Sequence, residues 1–279
     1  MKYVDKNKNL KQLQKVELEL LKDFDEMCKE NHVQYFLAYG SLLGAIRHKG
    51  FIPWDDDVDV HMFGKDYLKL TEALKDNKNE KYFFQSLETE KNYYLLWNKV
   101  RLNNTIFIEK GWEKNKIHQG ISLDIFPLFD YPDNSKDMKK INRIFKVTKL
   151  LMACNMYENK EYKSYGKAGK LLFKLLKLIP QVIRNRWVIK NIKYLCNYTS
   201  SSGYCCDTIH GVDKKYSKES FAKIKRAKFE DLKFDIPNQS EVYLEEVFGD
   251  YMTLPDEKDR IGHGETYLCF DTTGDKHDK

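Results

Sequence analysis

The chain has 279 residues, of which 42% are hydrophobic and 14% aromatic, enough for one large domain or two small ones with a real core. Its net charge of +6 suits an anionic substrate or a membrane surface and does not require a nucleic-acid partner. It has no run of 18 apolar residues and starts with a charged segment, so we expect neither a transmembrane helix nor a signal peptide. These features predict a cytoplasmic protein.

The first half of the chain alternates between helical and strand patterns. Residues 10–30 show apolar residues at helical spacing and predict an amphipathic helix. An apolar run over 33–39 predicts a strand that ends at Gly40, and Ser41 is the predicted N-cap of a short helix over 42–47. A further helix is predicted over 64–74, and strands are predicted over 58–62, 82–87, 95–102, 105–109 and 120–126, with Pro127 ending the last one.

A basic helical region follows over about 135–198, and no Asp or Glu occurs between Glu161 and Asp207. Its lysines recur on one helix face and its leucines occupy the other side; the lysines are Lys167, Lys170, Lys174 and Lys177. Such a helix fits either an anionic membrane surface or a core-packed helix with a solvated lysine face. Beyond it we predict a loop at 200–206, a strand at 229–236 and a last helix, capped by Asn238 or Ser240, that Gly249 ends. The predicted parts are a catalytic core over 1–130, the basic helical region over 131–225, and a return to the catalytic domain over 226–279.

The most informative stretch is 40–60, where a Gly40-Ser41 turn precedes four carboxylates within five residues, Asp55 to Asp59. Asp57 and Asp59 alternate with Val58 on a predicted strand, so they share one face. Like charges this close are costly without a cation, and carboxylate oxygens suit Mg²⁺ or Mn²⁺. The segment therefore predicts a phosphoryl-transfer metal site, with the carboxylates on the metal and Gly40 and Ser41 near the substrate phosphates. A solvated acidic turn would not explain the alternating valines, and a calcium loop would need glycine where Val60 stands.

A third carboxylate, Asp124, lies on an otherwise apolar strand. It could be a metal ligand, the base that activates an acceptor hydroxyl, or the partner of a nearby Lys or Arg. Lys99 and Arg101 share one face of another strand and could contact phosphate oxygens or point outward from the sheet.

Other candidate substrate contacts lie near these carboxylates in sequence. The basic group immediately before the acidic strand is predicted to bind phosphate, Trp54 to stack on a base or a cationic head group, and two polar residues of a glycine-rich loop to contact substrate; these are Arg47, His48, Lys49, Trp54, Arg260 and His263. The cysteines show no C-x-x-C spacing, so Cys196, Cys205 and Cys206 could hold zinc with His210 or be reduced thiols, and the sequence leaves this open. Nucleotide phosphate loops, zinc-protease motifs and serine-hydrolase motifs are absent from the sequence.

The stretch from Gly40 to Val60 closely resembles the signature of the LicD family, phosphocholine transferases of bacterial surface glycans that are related to fukutin-type ribitol-phosphate transferases. Further similar stretches are Gly120–Leu128 and Phe248–Pro255, and with Arg260 and His263 the resemblance spans roughly 25–265. It implies an α/β (α+β) nucleotidyltransferase-like fold, a mixed sheet flanked by helices with a helical insertion. Gly40-Ser41, Asp57 with Asp59, and Asp124 match the order of the turn and the three carboxylates of that fold.

The resemblance implies a Mg²⁺- or Mn²⁺-dependent transferase that moves phosphocholine from CDP-choline to a sugar hydroxyl of a lipopolysaccharide or teichoic-acid-type precursor and releases CMP. The acceptor would be a glycan, lipid-linked at the inner membrane face. Alternatives are another CDP-linked donor carrying ribitol, glycerol or ethanolamine, nucleotidyl transfer, or a silent module that only binds glycan or nucleotide. A choline donor would require an aromatic cage, which Trp54, Trp97, Trp112 and the tyrosines permit.

Overall fold

The computed structural model describes residues 6–156 and 166–273, and the structural statements below concern these ranges. The remaining segments of the three predicted parts, 1–5, 157–165 and 274–279, lie outside the described residues. The helices are α1 (Lys6–Glu30), α2 (Tyr39–Leu43), α3 (Gly64–Leu74), α4 (Ser135–Ala153), α5 (Lys167–Leu178), α6 (Gln181–Asn197) and α7 (Ser240–Phe248). None of these helices combines the length and apolar character needed to cross a membrane.

The strands are β1 (Phe36–Leu37), β2 (Asp59–Phe63), β3 (Tyr82–Gln85), β4 (Asn98–Leu102), β5 (Ile106–Glu109), β6 (Ser122–Asp130), β7 (Tyr204–Asp207), β8 (Tyr216–Ser217), β9 (Ile224–Phe229), β10 (Leu232–Pro237) and β11 (Glu265–Cys269). Seven of them form one sheet in the order β1-β2-β6-β4-β3, with β7 also beside β6 and β8 beside β7. Strands β2 and β6 are parallel, and β6 is antiparallel to β4 and β7. The predicted mixed sheet flanked by helices is confirmed.

Helix α1 closes one side of the sheet because its apolar face matches the helical period. Leu20, Leu21 and Phe24 are buried in the central core with Val60 of β2 and Leu123 of β6. Full burial of each such side chain contributes about 1.5–3 kcal/mol. This packing fixes the helix over the start of β2, where the carboxylates lie.

The basic helical region forms a second core against the far end of the sheet. Ile141 of α4 and Val188 of α6 pack with Phe129 of β6 and Cys206 of β7. Helix α3 also touches α6 closely, since a Cβ on Gly64 would lie 2.2 Å from the Cys196 carbonyl oxygen. The helical prediction for this region is therefore confirmed where it is described.

The start of the chain shows two departures from the predicted elements. The strand predicted over 33–39 is reduced to β1, because Tyr39 adopts φ 42° and begins α2. Ser41 lies inside α2 and does not cap it, and its Oγ accepts a hydrogen bond of 2.9 Å from the backbone N–H of Asp59. The Ser41 side chain therefore anchors β2. The predicted helix over 42–47 continues as a π-helical turn over Gly44–His48.

Further departures concern strands. Pro127 does not end β6, because it falls between Ile125, the last residue paired with β4, and Leu128, the first paired with β7. The loop predicted at 200–206 contains β7, and the strand predicted at 229–236 is the turn and second arm of the β9–β10 hairpin. Strand β5 leaves the main sheet and pairs with β11.

Candidate active site

The candidate site is a cavity of about 690 Å³ at the start of β2, with the carboxylates of Asp55, Asp57, Asp59 and Asp124 in its lining. Asp59 and Asp124 are direct register partners on the parallel strands β2 and β6. Carboxylates from separate parts of the chain therefore meet at one place. Asp57 is just before β2 and not within it, which corrects the expectation that both aspartates belong to the strand.

Asp56 also lines the cavity, but its carboxylate is held by the loop that contains His263 and Gly264. It is 5% exposed and accepts hydrogen bonds from the backbone N–H groups of His263 (2.9 Å) and Gly264 (3.0 Å). Its Oδ1 also contacts His263 Nδ1 at 3.1 Å, and the imidazole reaches Asp57 Oδ2 at 3.4 Å. The hydrogen bond to Asp56 raises the pKa of His263 to about 9, so His263 is a cation at the edge of the acidic group at neutral pH.

Burial and mutual repulsion make the remaining carboxylates hard to ionise together. Burial, followed by the charges of Asp57, Asp124 and Asp55, raises the pKa of Asp59 well above its usual value. Burial is also the main cause that raises the pKa of Asp57 to about 6, although His263 acts in the opposite direction. A cation in the cavity would remove this penalty.

Asp124 has two partners in the structure. Lys99 Nζ lies 2.7 Å from Asp124 Oδ1, and Trp97 Nε1 donates to Asp124 Oδ2 at 2.9 Å. The expectation that Asp124 pairs with a nearby lysine is confirmed. Trp97 fixes the orientation of the carboxylate, and both Trp97 and Lys99 line the cavity.

The Gly40-Ser41 turn lies directly against the acidic segment. A Cβ on Gly40 would lie 2.8 Å from Asp55 Oδ2, so only glycine lets the carboxylate approach the helix this closely. Ser41 holds the backbone of Asp59, as described above. The turn therefore positions two of the carboxylates.

The predicted basic contacts divide into two groups. Lys99 and Arg101 line the cavity, and Arg101 donates to Gln85 Oε1 and the Gly120 carbonyl. The other predicted contacts lie outside its lining, apart from His263; they are Arg47, His48, Lys49, Trp54 and Arg260.

Arg47 and Trp54 line a neighbouring groove, and the side chains of His48 and Arg260 lie against the Trp54 ring. The Arg47 guanidinium donates to the Tyr251 carbonyl at 2.6 Å, and Lys49 Nζ donates to the Ile46 carbonyl at 2.9 Å. The Arg260 guanidinium lies 5.6 Å from the centre of the Trp54 ring. Arg47 and Trp54 both line the groove, so substrate contacts by these residues remain predictions.

Sequence reasoning missed Glu17, Tyr39 and His210, which also line the cavity. Glu17 is 2% exposed, and among the described residues its Oε2 has no hydrogen-bond partner. Burial, with repulsion from Asp57 and Asp56, raises its pKa well above the usual value. The signal was present in the sequence, because Glu17 falls on the same helix face as Leu13, Leu20 and Phe24.

The three cysteines considered for zinc lie in two different cores. Cys205 and Cys206 are neighbours on β7 and therefore face opposite sides of the sheet, and Cys196 is in the central core with Cys205. Across residues 6–156 and 166–273, no three His, Cys, Asp or Glu side chains already form a metal-ligating group. In the cavity, the Lys99 ammonium pairs with the Asp124 carboxylate.

Comparisons with known proteins agree with this geometry. Residues 32–150 match the family model described as LicD/FKTN/FKRP, nucleotidyltransferase domain. The chain is 28% identical over 260 residues to the lipopolysaccharide cholinephosphotransferase LicD of Haemophilus influenzae, covering 92% of this chain and 97% of that protein. Over 56 residues, 20% of this chain, it is 41% identical to an uncharacterised protein of Rickettsia prowazekii, of which this covers 21%.

The fold, the cavity and these matches together define a phosphotransferase built on a nucleotidyltransferase-like domain. The chain is similar to LicD-family proteins, through the domain match over residues 32–150 and the near full-length match to the Haemophilus protein.

Proposed function

We propose that this protein transfers phosphocholine from CDP-choline to a sugar hydroxyl of a cell-surface glycan such as lipopolysaccharide, releasing CMP. The main observation in favour is that carboxylates and aromatic rings line the same cavity. The similarity to the Haemophilus enzyme over nearly its whole length supports the choline group and the lipopolysaccharide acceptor. Teichoic-acid-type acceptors and other CDP-linked donors are the alternatives that the experiment below separates.

The aromatic part of the cavity suits a quaternary ammonium group. The rings of Tyr94 and Trp112 stack with centroids 5.1 Å apart, and those of Trp97 and Phe126 are 4.9 Å apart. A cation over such rings gains about 0.5–2 kcal/mol, more as it loses water. Choline carries this charge without any hydrogen-bond donor, so aromatic faces favour it over ethanolamine.

The acidic part suits a divalent cation. Asp57, Asp59 and Asp124 offer the hard oxygen ligands that Mg²⁺ or Mn²⁺ prefers, and burial together with their mutual repulsion raises the pKa of Asp59. When bound, the ion would neutralise the diphosphate and the charge that develops on the leaving CMP. Lys99 and Arg101 would contact phosphate oxygens from β4, and Trp97 would keep Asp124 oriented toward the cavity.

The decisive experiment incubates the protein with CDP-choline, CDP-ethanolamine, CDP-ribitol and CDP-glycerol in Mg²⁺, with and without candidate glycans, and measures CMP release. We expect glycan-dependent release from CDP-choline and its loss in EDTA. Asp59→Asn should lower the rate at least about 10²-fold, whereas the exposed Asp76→Asn is a matched control. Nucleotide binding without turnover would identify a silent binding module. Full activity in EDTA would refute the requirement for a divalent ion.

A lipid-linked acceptor would place the protein at the inner face of the cytoplasmic membrane, and α5 supports such a contact. Phe173 is buried against the helical core, but four leucines of α5 are exposed by 47–79%; they are Leu171, Leu172, Leu175 and Leu178. Lysines alternate with them, and a helix that combines exposed leucines and lysines suits an anionic bilayer surface.

Sedimentation with phosphatidylglycerol vesicles tests this contact. Binding should weaken when Lys170, Lys174 and Lys177 become Gln, and also in a Leu171→Gln, Leu175→Gln variant. Val242→Gln, which changes an exposed apolar residue of α7, is the control. Equal sedimentation of all variants would show that α5 does not contact lipid.

A further inference from the structure

His210 and its partner Asp207 form a second polar group at the wall of the cavity. His210 lines the cavity and its side chain is 34% exposed, whereas its neighbour Asp207, at the end of β7, is completely buried. The imidazole Nδ1 lies 3.1 Å from Asp207 Oδ2 and 3.3 Å from Oδ1. A buried carboxylate that holds a histidine at the wall of a reaction cavity is an arrangement suited to proton transfer.

The carboxylate of Asp207 is held as an anion in a fixed position. It accepts hydrogen bonds of 2.6 Å from the hydroxyls of Tyr39 and Tyr216 and of 2.7 Å from the backbone N–H groups of Ile209 and His210. Burial alone would raise its pKa, but the hydrogen bonds from His210, Tyr216 and Tyr39 outweigh burial and hold the pKa below the usual range. These donors compensate the buried charge and hold the carboxylate in one orientation toward His210.

These contacts also fix which nitrogen of His210 is available. Within the described residues, every side-chain hydrogen bond of His210 is made by Nδ1. If Nδ1 donates its proton to Asp207, the lone pair of the neutral ring is on Nε2. The ionisable groups around the ring include Asp207, Tyr216, Tyr39 and His61. Burial raises the pKa of both tyrosines and lowers the pKa of His61 to about 4, so these three side chains stay neutral. Lys214 also lines the cavity, and its ammonium donates a hydrogen bond to the Val247 carbonyl.

A continuous aromatic wall connects this histidine with the acidic group. The Tyr39 ring lies 6.2 Å from the His210 ring and 5.3 Å from Phe126. Phe126 packs on Trp97, and Trp97 donates to Asp124. His210 and Asp124 therefore lie at the two ends of one wall of the cavity, and a substrate bound along it would meet both.

We propose that His210, oriented by Asp207, is the general base that accepts the proton of the acceptor hydroxyl. The hydroxyl oxygen would form a bond to the phosphorus that bears choline, while the bond from that phosphorus to the bridging oxygen breaks and CMP leaves with the electron pair. The hydroxyl proton moves to Nε2 of His210 and then to solvent. This assignment rests on the proposed function and leaves Asp124 as a carboxylate that acts through its charge and not as the base.

The test compares the full-length wild-type protein with His210→Gln and His210→Asn, using whichever CDP-linked donor the wild type accepts. Removing a general base should lower kcat by about 10²–10⁴-fold, while the donor Kd, measured by calorimetry, stays within twofold. His32→Asn is the control, because His32 is exposed and has φ 51°, a conformation that asparagine tolerates.

A kcat within threefold of wild type in a folded His210 variant would overturn the assignment. Tyr216→Phe provides a milder probe, because it removes the hydroxyl that contacts Asp207 and His210 Nδ1 and keeps the ring; we expect a smaller loss of kcat. A wild-type protein that is inactive with every CDP-linked donor refutes the proposed function itself. The two failures are therefore distinguishable.

Discussion

Replacing Asp59 by asparagine should affect the stability of the protein and its activity in opposite directions. In the absence of a divalent ion, the Asp59 carboxylate adds charge to a buried group that already contains Asp57 and Asp124. The amide has nearly the same shape and no charge, and the backbone N–H of Asp59 keeps its bond to Ser41. The variant should therefore be more stable than the wild type when no metal is present.

The size of this gain in stability follows from the register of β2 with β6. Asp59 and Asp124 are direct partners on adjacent parallel strands, and about 5 Å between such charges gives about 3 kcal/mol of repulsion at an effective dielectric constant of about 20. Lys99 offsets part of it, since its ammonium lies 2.7 Å from Asp124 Oδ1. We expect Asp59→Asn to gain about 1–2 kcal/mol in EDTA.

Urea unfolding at pH 7, in EDTA and in Mg²⁺, measures both effects. Wild type should gain about 2.7 kcal/mol when Mg²⁺ is 100-fold above its Kd, and Asp59→Asn should lose this gain together with its activity. Asp76→Asn should behave like the wild type in both media. A variant that is less stable than wild type in EDTA, or a wild type whose midpoint does not respond to Mg²⁺ or Mn²⁺, would refute the reasoning.

Three further changes test the surroundings of the cavity. Trp97→Phe removes the 2.9 Å hydrogen bond to Asp124 and should lower kcat about tenfold while changing the unfolding free energy by only about 1 kcal/mol; an unchanged kcat would show that Asp124 needs no orientation. Gly64→Ala places a Cβ against the backbone of α6 and should cost about 1–3 kcal/mol, which an unchanged urea midpoint would contradict. Burial, with the charge of Arg101, lowers the pKa of His118 to about 4 while its Nδ1 accepts the N–H of Gly120 at 3.1 Å. Because this folded pKa lies below the unfolded value of about 6.5, neutral His118 contributes fully to the free energy of unfolding above that pH, and this contribution is lost as the pH falls toward 4. Urea unfolding from pH 7 to 4 should show about 1–2 kcal/mol more loss in wild type than in His118→Gln, and parallel curves would refute it.

The sequence by itself determined the features that depend on local period and spacing. The helix over 64–74 and the amphipathic helix over 10–30 follow from apolar periodicity, and the structure has them as α3 and within α1. The acidic segment, the strand of Asp124 and the glycine-serine turn were also readable, because few other chemistries need so many carboxylates beside an apolar strand. Their meeting at one cavity was an expectation, and the register of β2 with β6 confirms it.

Only the tertiary structure decided which other side chains share the cavity. Glu17 and His210 lie far from Asp59 in sequence, and a periodic pattern says nothing about contacts between distant segments. The same limit explains why Arg47 and Trp54, next to the carboxylates in sequence, fall outside the lining of the cavity. Pro127 continues β6 because the partner strands on that side change from β4 to β7 around it, a fact set by topology alone. Local pattern therefore specifies elements, whereas the pairing of strands specifies which residues face one another.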